Sequence, residues 1–460
     1  MAASEIIERL VEEQHLYFAT GQTIPVEARL RALDALERAI VDAEQEINAA
    51  LKEDLGKSAC ESYMCEVGLT LSELRYQKKH LRSWAKPQRV RTPLANFPAK
   101  SFTVAEPYGV CLVMSPWNYP FMLTIEPLIG ALAAGNCCVV KPSAYSPATS
   151  KAIARIVAKT FDPGLVAVVE GGRAENAALL DQRFDYIFFT GGTTVGKLVM
   201  SKASEHLTPV SLELGGKSPC IIAGDADIDL AATRVVFGKY LNCGQTCVAP
   251  DYVLVDRTVH DRFLACVKER IREMFGTDPL KNADYGRIVN RKHFDRILGL
   301  IDPAKVAAGG RSDEDALRIE PTVLDNVTAA DAVMQEEIFG PIMPIIPFDC
   351  VEEAELFIRE RPKPLALYLF TRSKELQDRF LAYVPFGGGC INDTIVHLAT
   401  SEMGFGGVGA SGMGSYHGKD SFETFSHRKS ILKKSTRIDL PMRYQPYTES
   451  KLRLIRKFLK

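Results

Sequence analysis

Four short segments of this chain carry residues that could do covalent chemistry. In Asn242-Cys243-Gly244-Gln245-Thr246-Cys247, a cysteine follows a glycine-containing loop. Such a loop can present both the Cys247 sulfur and its own backbone N–H to one small cleft. A thiol with an ordinary pKa of about 8.5 is a few per cent thiolate at neutral pH and strongly nucleophilic. In Glu213-Leu214-Gly215-Gly216-Lys217 a carboxylate precedes two glycines, whose backbone can turn sharply and leave room for water. Near apolar walls Glu213 has a raised pKa and can serve as a general base. In Pro116-Trp117-Asn118-Tyr119-Pro120 two prolines stiffen a loop whose Asn118 amide is a neutral donor suited to an oxyanion. The run Phe189-Thr190-Gly191-Gly192-Thr193-Thr194-Val195-Gly196-Lys197 lies between a strand-like and a helix-like segment. Glycine-rich backbone that opens a helix lets N–H groups approach a pyrophosphate. Its spacing is not G-x-G-x-x-G, and Leu198 stands where a P-loop needs Ser or Thr. Alone, each segment has a plainer use in core packing or turn closure. Together they describe a nucleophile, a base, an oxyanion donor and an anion-binding loop.

The surrounding chain must position these groups. Its 460 residues, 46% hydrophobic and 25% charged, have the composition of a globular protein of two or three domains. With 56 basic against 57 acidic residues the net charge is −1. No long-range field then attracts nucleic acid or an anionic membrane, and neither is expected as a partner. The eleven cysteines form no CxxC pair and there is no HExxH, so free thiols in a reducing compartment are expected and no metal site is. The N-terminal MAASEIIERLVEEQ has acids where a signal peptide has an apolar stretch. No apolar run nears the roughly 18 residues of a membrane span. A cytoplasmic protein without a membrane anchor is expected.

The first 85 residues repeat apolar positions at helical spacing, as in Leu30, Leu33, Leu36, Ile40, Ile47 and Leu51. A Pro-broken basic stretch over 86–100 reads as an extended excursion or a hairpin. Continuous apolar runs at 110–114, 137–140, 165–169 and 186–189 then alternate with helical segments. Strands apolar on both faces belong to a parallel sheet covered by helices, here a doubly wound dinucleotide-binding domain. The alternation resumes with strands at 218–223 and 252–255 and helices at 227–240 and 260–274, a second α/β unit. Past Pro385 the stretches 386–389 and 404–414 are too rich in glycine for helix.

With Lys141-Pro142-Ser143 and Glu336-Glu337-Ile338-Phe339-Gly340-Pro341, the segments above resemble in order those of the aldehyde dehydrogenase superfamily. The resemblance runs from about residue 5 to beyond Phe425, and 391–427 is similar to the class 3 branch. It implies an α/β fold with three parts: a Rossmann-like coenzyme domain (1–85 and 105–212), an α/β catalytic domain (213–385) and a small bridging and oligomerisation element (86–104 and 386–460). It also implies a homodimer. The implied reaction is NAD- or NADP-dependent oxidation of a medium-chain aliphatic or aromatic aldehyde to a carboxylate. Cys247 is then the nucleophile and Glu213 the base, with Asn118 and the Cys247 N–H as oxyanion hole. Lys141 is implied to bond the adenosine ribose, and Gly191, Gly192, Thr193, Thr194, Val195 and Gly196 to line the coenzyme phosphates. Trp117 and Leu214 border the coenzyme, and Glu337 grips the nicotinamide ribose beside Phe339. Tyr119, Met122 and Phe405 are candidates for an apolar substrate tunnel, and Cys243 for core packing rather than a redox pair with Cys247. One departure concerns Ala144, where relatives commonly carry a glutamate that accepts from the adenosine ribose. Its absence removes repulsion against a 2′-phosphate, which Arg173 or Lys159 could meet. A dehydrogenase that passes the acyl group to coenzyme A is the alternative, but it typically lacks the base that Glu213 provides. A catalytically silent relative is disfavoured by the intact side chains.

Overall fold

The structure, a computed structural model, describes residues 3–459. Helices Ala3–Ala19, Val26–Asp42, Glu44–Leu55 and Gly68–Trp84 occupy the N-terminal region. The apolar positions Leu33, Leu36, Ile40, Ile47 and Leu51 are all fully buried, as their spacing predicts. A π-helical turn, Tyr63–Val67, precedes the last of these helices; nothing in the sequence pattern pointed to it.

A six-stranded sheet follows, in the order Gly412–Met413, Val210–Glu213, Tyr186–Thr190, Val110–Met114, Cys137–Lys141, Val166–Val168. The last five are mutually parallel. Numbered by chain order, they run 3-2-1-4-5, the arrangement of a dinucleotide-binding half. The strand order reverses between Val110–Met114 and Tyr186–Thr190. At their carboxyl ends a crevice opens, and ligands of such sheets bind there. The loops carrying Trp117-Asn118 and Gly191-Gly192 both leave from this point.

The second sheet has seven strands, in the order Val306–Ala308, Thr322–Leu324, Ile342–Phe348, Tyr252–Asp256, Pro219–Ile222, Ala366–Phe370, Gly388–Ile391. All but the first pair are parallel. The excursion near 86–100 is a hairpin: Gln88–Val90 pairs antiparallel with Ala99–Pro107. Ser426–Lys434 adds a third strand, from Ser426 opposite Pro107 to Lys434 opposite Ala99.

The segment beyond 385 does not join that small sheet as a unit. Gly388–Ile391 extends the seven-stranded sheet, and Gly412–Met413 pairs with Leu212 and Glu213 at the edge of the other. Glycine makes these approaches possible. A Cβ on Gly389 would lie 2.0 Å from the Leu367 carbonyl oxygen, and one on Gly412 equally near that of Leu212. Gly412 also has a φ of 133°, a conformation closed to other residues without strain. Gly412→Ala is therefore expected to cost about 1–3 kcal/mol, read as a lower denaturant midpoint. An unchanged midpoint would mean that this strand shifts freely.

Candidate active site

Each predicted chemical residue sits where an element ends. Glu213 closes the strand Val210–Glu213, with Thr190 and Gly412 as its cross-strand neighbours. Asn118 lies in the loop after Val110–Met114. Cys247 follows the turn Leu241–Gly244, in which Asn242, Cys243 and Gly244 have φ of 51°, 53° and 74°. This left-handed run ends the helix Ile228–Tyr240 and reverses the chain. Gly244 is required there, since a Cβ would come 2.3 Å from the Gly340 carbonyl oxygen.

Two cavities meet at Cys247. A cleft of about 490 Å³ is lined by Trp117, Asn118, Gly191, Gly192, Thr193, Thr194, Glu213, Leu214, Cys247, Glu337 and Phe339. An apolar tunnel of about 220 Å³ is lined by Tyr119, Met122, Cys247, Phe405, Tyr416 and His417, among others. The tunnel candidates Tyr119, Met122 and Phe405 are thus brought together. His417 Nδ1 is 3.5 Å from Glu126 Oε2, but burial pushes the imidazole down to about 3 and the carboxyl well up. The His417 imidazole that faces the tunnel is therefore neutral near pH 7.

The cleft collects buried polar atoms that have no hydrogen-bond partner. They include both Glu213 carboxyl oxygens, Asn118 Oδ1, Thr190 Oγ1 and Glu337 Oε1. Burial alone raises the Glu213 pKa well above the usual carboxylate range. The Glu337 carboxyl is pushed up to about 8, by burial first and then by Asp251. Asn118 Nδ2 donates one N–H to the Gln245 carbonyl at 3.0 Å, leaving its second N–H available. For Cys247 the structure revises the expectation of a partly ionised thiol. Burial, then the nearby Glu337 and Glu213, push its pKa up to about 12.

The cleft suits a dinucleotide. The helix Thr193–Ser204 has no side-chain cap, so the N–H groups of its first turn are open to an anion. A Cβ on Gly192 would meet nothing within 4 Å. By contrast, the N-terminus of helix Pro147–Thr160 is occupied by Asp54, which accepts from Ala148 N, Thr149 N and Thr149 Oγ1. Trp117 and Phe339 meet edge to face with ring centroids 5.3 Å apart.

Three coenzyme candidates lie outside the cleft lining. Lys141 Nζ donates to the carbonyls of Pro142 and Gly171, both at 2.7 Å. Val195 is largely exposed, and Gly196 lies so close to Leu214 that a Cβ would be 2.7 Å from its Cδ2. Arg173 opens the helix Arg173–Leu180, two residues after Gly171, whose carbonyl accepts from Lys141. Lys159 is in the last turn of Pro147–Thr160, roughly 18 Å along the axis from its start. Cys243 is packed against Tyr285 in the core and lines neither cavity. The cleft also contains His293, Arg296 and Glu336. Glu336 opens a motif already singled out, whereas His293 and Arg296 lie on the helix Arg291–Leu298, which carries no sequence signature.

Fold and site together define an α/β protein with a dinucleotide-type crevice and a cysteine at its centre. The chain belongs to the aldehyde dehydrogenase family, whose model matches residues 1–431. It is 48% identical to a 4,4'-diaponeurosporen-aldehyde dehydrogenase of Staphylococcus aureus, over 99% of each chain. It is 44% identical to a canine (Canis lupus familiaris) aldehyde dehydrogenase described as dimeric and NADP-preferring, over 96% of this chain and 98% of the relative. A solved substrate-bound structure of Staphylococcus aureus AldH superposes with a TM-score of 0.97 at 47% identity, covering 99% of each chain. The protein is an enzyme that oxidises aldehydes, with NAD or NADP as the family's coenzyme.

The raised thiol pKa predicts how the coenzyme-free enzyme is alkylated. Only the thiolate reacts, so the iodoacetamide rate at Cys247 is expected to rise about tenfold per pH unit from pH 7 to 9 without levelling. A plateau near pH 8 would contradict the burial argument.

Proposed function

We propose that Cys247 attacks the aldehyde carbonyl carbon and carries the acyl group as a thioester until Glu213-activated water releases the carboxylate. The observation that carries this reading is the place of Cys247 on both cavities. An apolar aldehyde reaches it from the tunnel side, and the glycine-rich cleft supplies the other side. The nicotinamide coenzyme, when bound, supplies the hydride acceptor. Cys247 Sγ gives its proton to water and bonds to the carbonyl carbon, whose C=O π pair moves onto oxygen. Asn118 Nδ2 and the Cys247 N–H hold the oxygen that gains charge, a role in which one lost donor typically costs about 3 kcal/mol. Glu213 takes a proton from water, whose oxygen then adds to the thioester carbon; Cys247 leaves as sulfur and regains a proton.

Cleft residues Gly191, Gly192, Thr193 and Thr194 are assigned to the pyrophosphate and Glu337 to the nicotinamide ribose, with Trp117, Leu214 and Phe339 as walls. The apolar tunnel favours medium-chain aliphatic or aromatic aldehydes. Ala144 is exposed, and the lack of a carboxylate there supports use of both NAD and NADP. A homodimer is the expected assembly, through the open edges of the sheet Gln88–Val90, Ala99–Pro107, Ser426–Lys434. Every cysteine among the described residues is a free thiol, and no helix among them is long and apolar enough to cross a membrane. Both features accord with a cytoplasmic enzyme.

Cys247→Ser is expected to lower kcat by roughly a thousandfold or more. Wild-type turnover on every tested aldehyde would overturn the mechanism. Glu213 must be ionised to act, and its pKa is raised, so kcat rises with pH through its ionisation. In Glu213→Gln that rise disappears, kcat falls by roughly a hundredfold or more, and acyl-enzyme on Cys247 accumulates in intact-protein mass spectra. Acyl-CoA formed on adding coenzyme A would favour the acylating alternative. For coenzyme choice, kcat/KM is compared for NAD and NADP; a preference for NAD above about a hundredfold, near 2.7 kcal/mol, ends the dual-use reading.

A further inference from the structure

One buried ion pair touches the Asn118 loop and through it reaches the nucleophile loop, although no step of the reaction uses it. The side chains of Lys57 and Glu66 are wholly buried, with Nζ 2.5 Å from Oε1. Glu66 stands in the π-helical turn Tyr63–Val67, a rare geometry that is frequent at functional sites. Lys57 Nζ also donates to the Asn118 carbonyl at 3.0 Å and lies 4.0 Å from the centroid of the Tyr119 ring. Glu66 Oε2 accepts from Phe121 N at 2.9 Å and Met122 N at 3.0 Å, two donors at the start of the helix Met122–Ala134. The stretch from 118 to 122 is thereby pinned at both ends.

The same contacts reach the nucleophile loop. The Asn118 carbonyl takes a second hydrogen bond from Asn242 Nδ2 at 2.8 Å, and the Tyr119 hydroxyl pairs with Thr246 Oγ1 at 2.7 Å. Neither Lys57 nor Glu66 lines the tunnel or the cleft. A pair of apolar side chains could fill this volume without the desolvation cost that a buried ion pair carries. What apolar groups cannot do is hold a backbone carbonyl in one place.

We propose that Lys57 and Glu66 form a positioning pair that aims the Asn118 amide at Cys247 by fixing the backbone of residues 118–122. The proposal rests on the reading of Asn118 as oxyanion donor. The pair touches neither substrate nor coenzyme and acts only through Asn118. With Lys57 removed, the Asn118 carbonyl keeps only its bond from Asn242, and the side chain loses the fixed origin that oxyanion stabilisation needs.

The test is a cycle of variants read by kcat, KM and melting temperature. Lys57→Met is expected to lower kcat roughly tenfold or more while KM stays within about threefold, as befits an interaction that matters in the transition state. Lys57→Met/Glu66→Gln leaves no unpaired buried charge. It should recover most of the melting temperature, yet keep kcat low, because the Asn118 carbonyl still lacks its donor. In an Asn118→Ala background either change should lower kcat by less than about twofold, since the side chain through which the pair acts is gone. Two results would overturn the proposal: the full loss of kcat persisting in the Asn118→Ala background, or kcat returning together with melting temperature in the neutralised pair. Either would reduce the pair to a folding role. If Asn118→Ala by itself keeps full kcat, the oxyanion assignment falls first and the positioning role falls with it, so the two failures are told apart.

Discussion

Three successive residues in the left-handed region, Asn242, Cys243 and Gly244, bring Cys247 to the seam between the tunnel and the coenzyme cleft. Two of them are not glycine, and each costs roughly 1–2 kcal/mol against a right-handed backbone. Such a turn persists only where its surroundings over-determine it, and here they do. Asn242 N donates to Glu61 Oε1 at 3.0 Å, Gln245 Nε2 donates to the Asn242 carbonyl at 3.0 Å, and Gly244 fits beneath the Gly340 carbonyl. Two distant stretches of chain, at Glu61 and at Gly340, therefore meet on one loop. The N-terminal helices, remote in sequence from every motif, are part of the clamp.

The electrostatics of the site follow from how the fold treats its buried polar groups. Most are satisfied, as is general in proteins. Asp251 accepts from Ile338 N at 2.9 Å and pairs with Lys217, whose Nζ also holds the carbonyls of Val333 and Glu336 at 2.9 Å. Lys217 and Asp251 thus fasten the loop that carries Glu337 and Phe339. The Glu213 carboxyl, with neither oxygen partnered, faces the cleft instead. A group kept dry and unpaired has a raised pKa and a protonation state that a neighbouring ligand can change. Glu213 and Asp54 are both buried acids near a helix or strand end, and only their hydrogen bonds separate their roles.

Much of this was legible in the sequence. The doubly wound sheet could be read because its strands are apolar throughout, and the helices Pro147–Thr160 and Arg173–Leu180 end where periodicity ends them. Cys247, Glu213 and Asn118 stood out because each lies beside glycine or proline, which restrict what a loop can do. Lys57 and Glu66 did not stand out. A lysine and a glutamate nine residues apart in a helical region read as solvated charges, and only their burial marks them. His293 and Arg296 escaped because their helix carries no motif, and only its packing beside the cleft marks them.

What the sequence alone determined about this protein is the set of local structures and the chemical types at their ends, because propensity, apolar period and loop residues act over a few neighbours. The tertiary structure decided which ends meet. It sent the glycine-rich segment past 385 to two different sheets, drew Lys141 onto backbone carbonyls outside the cleft lining, and raised the Cys247 thiol to about 12. Burial and the distance between charges are properties of the packed chain, and no stretch of residues carries them by itself.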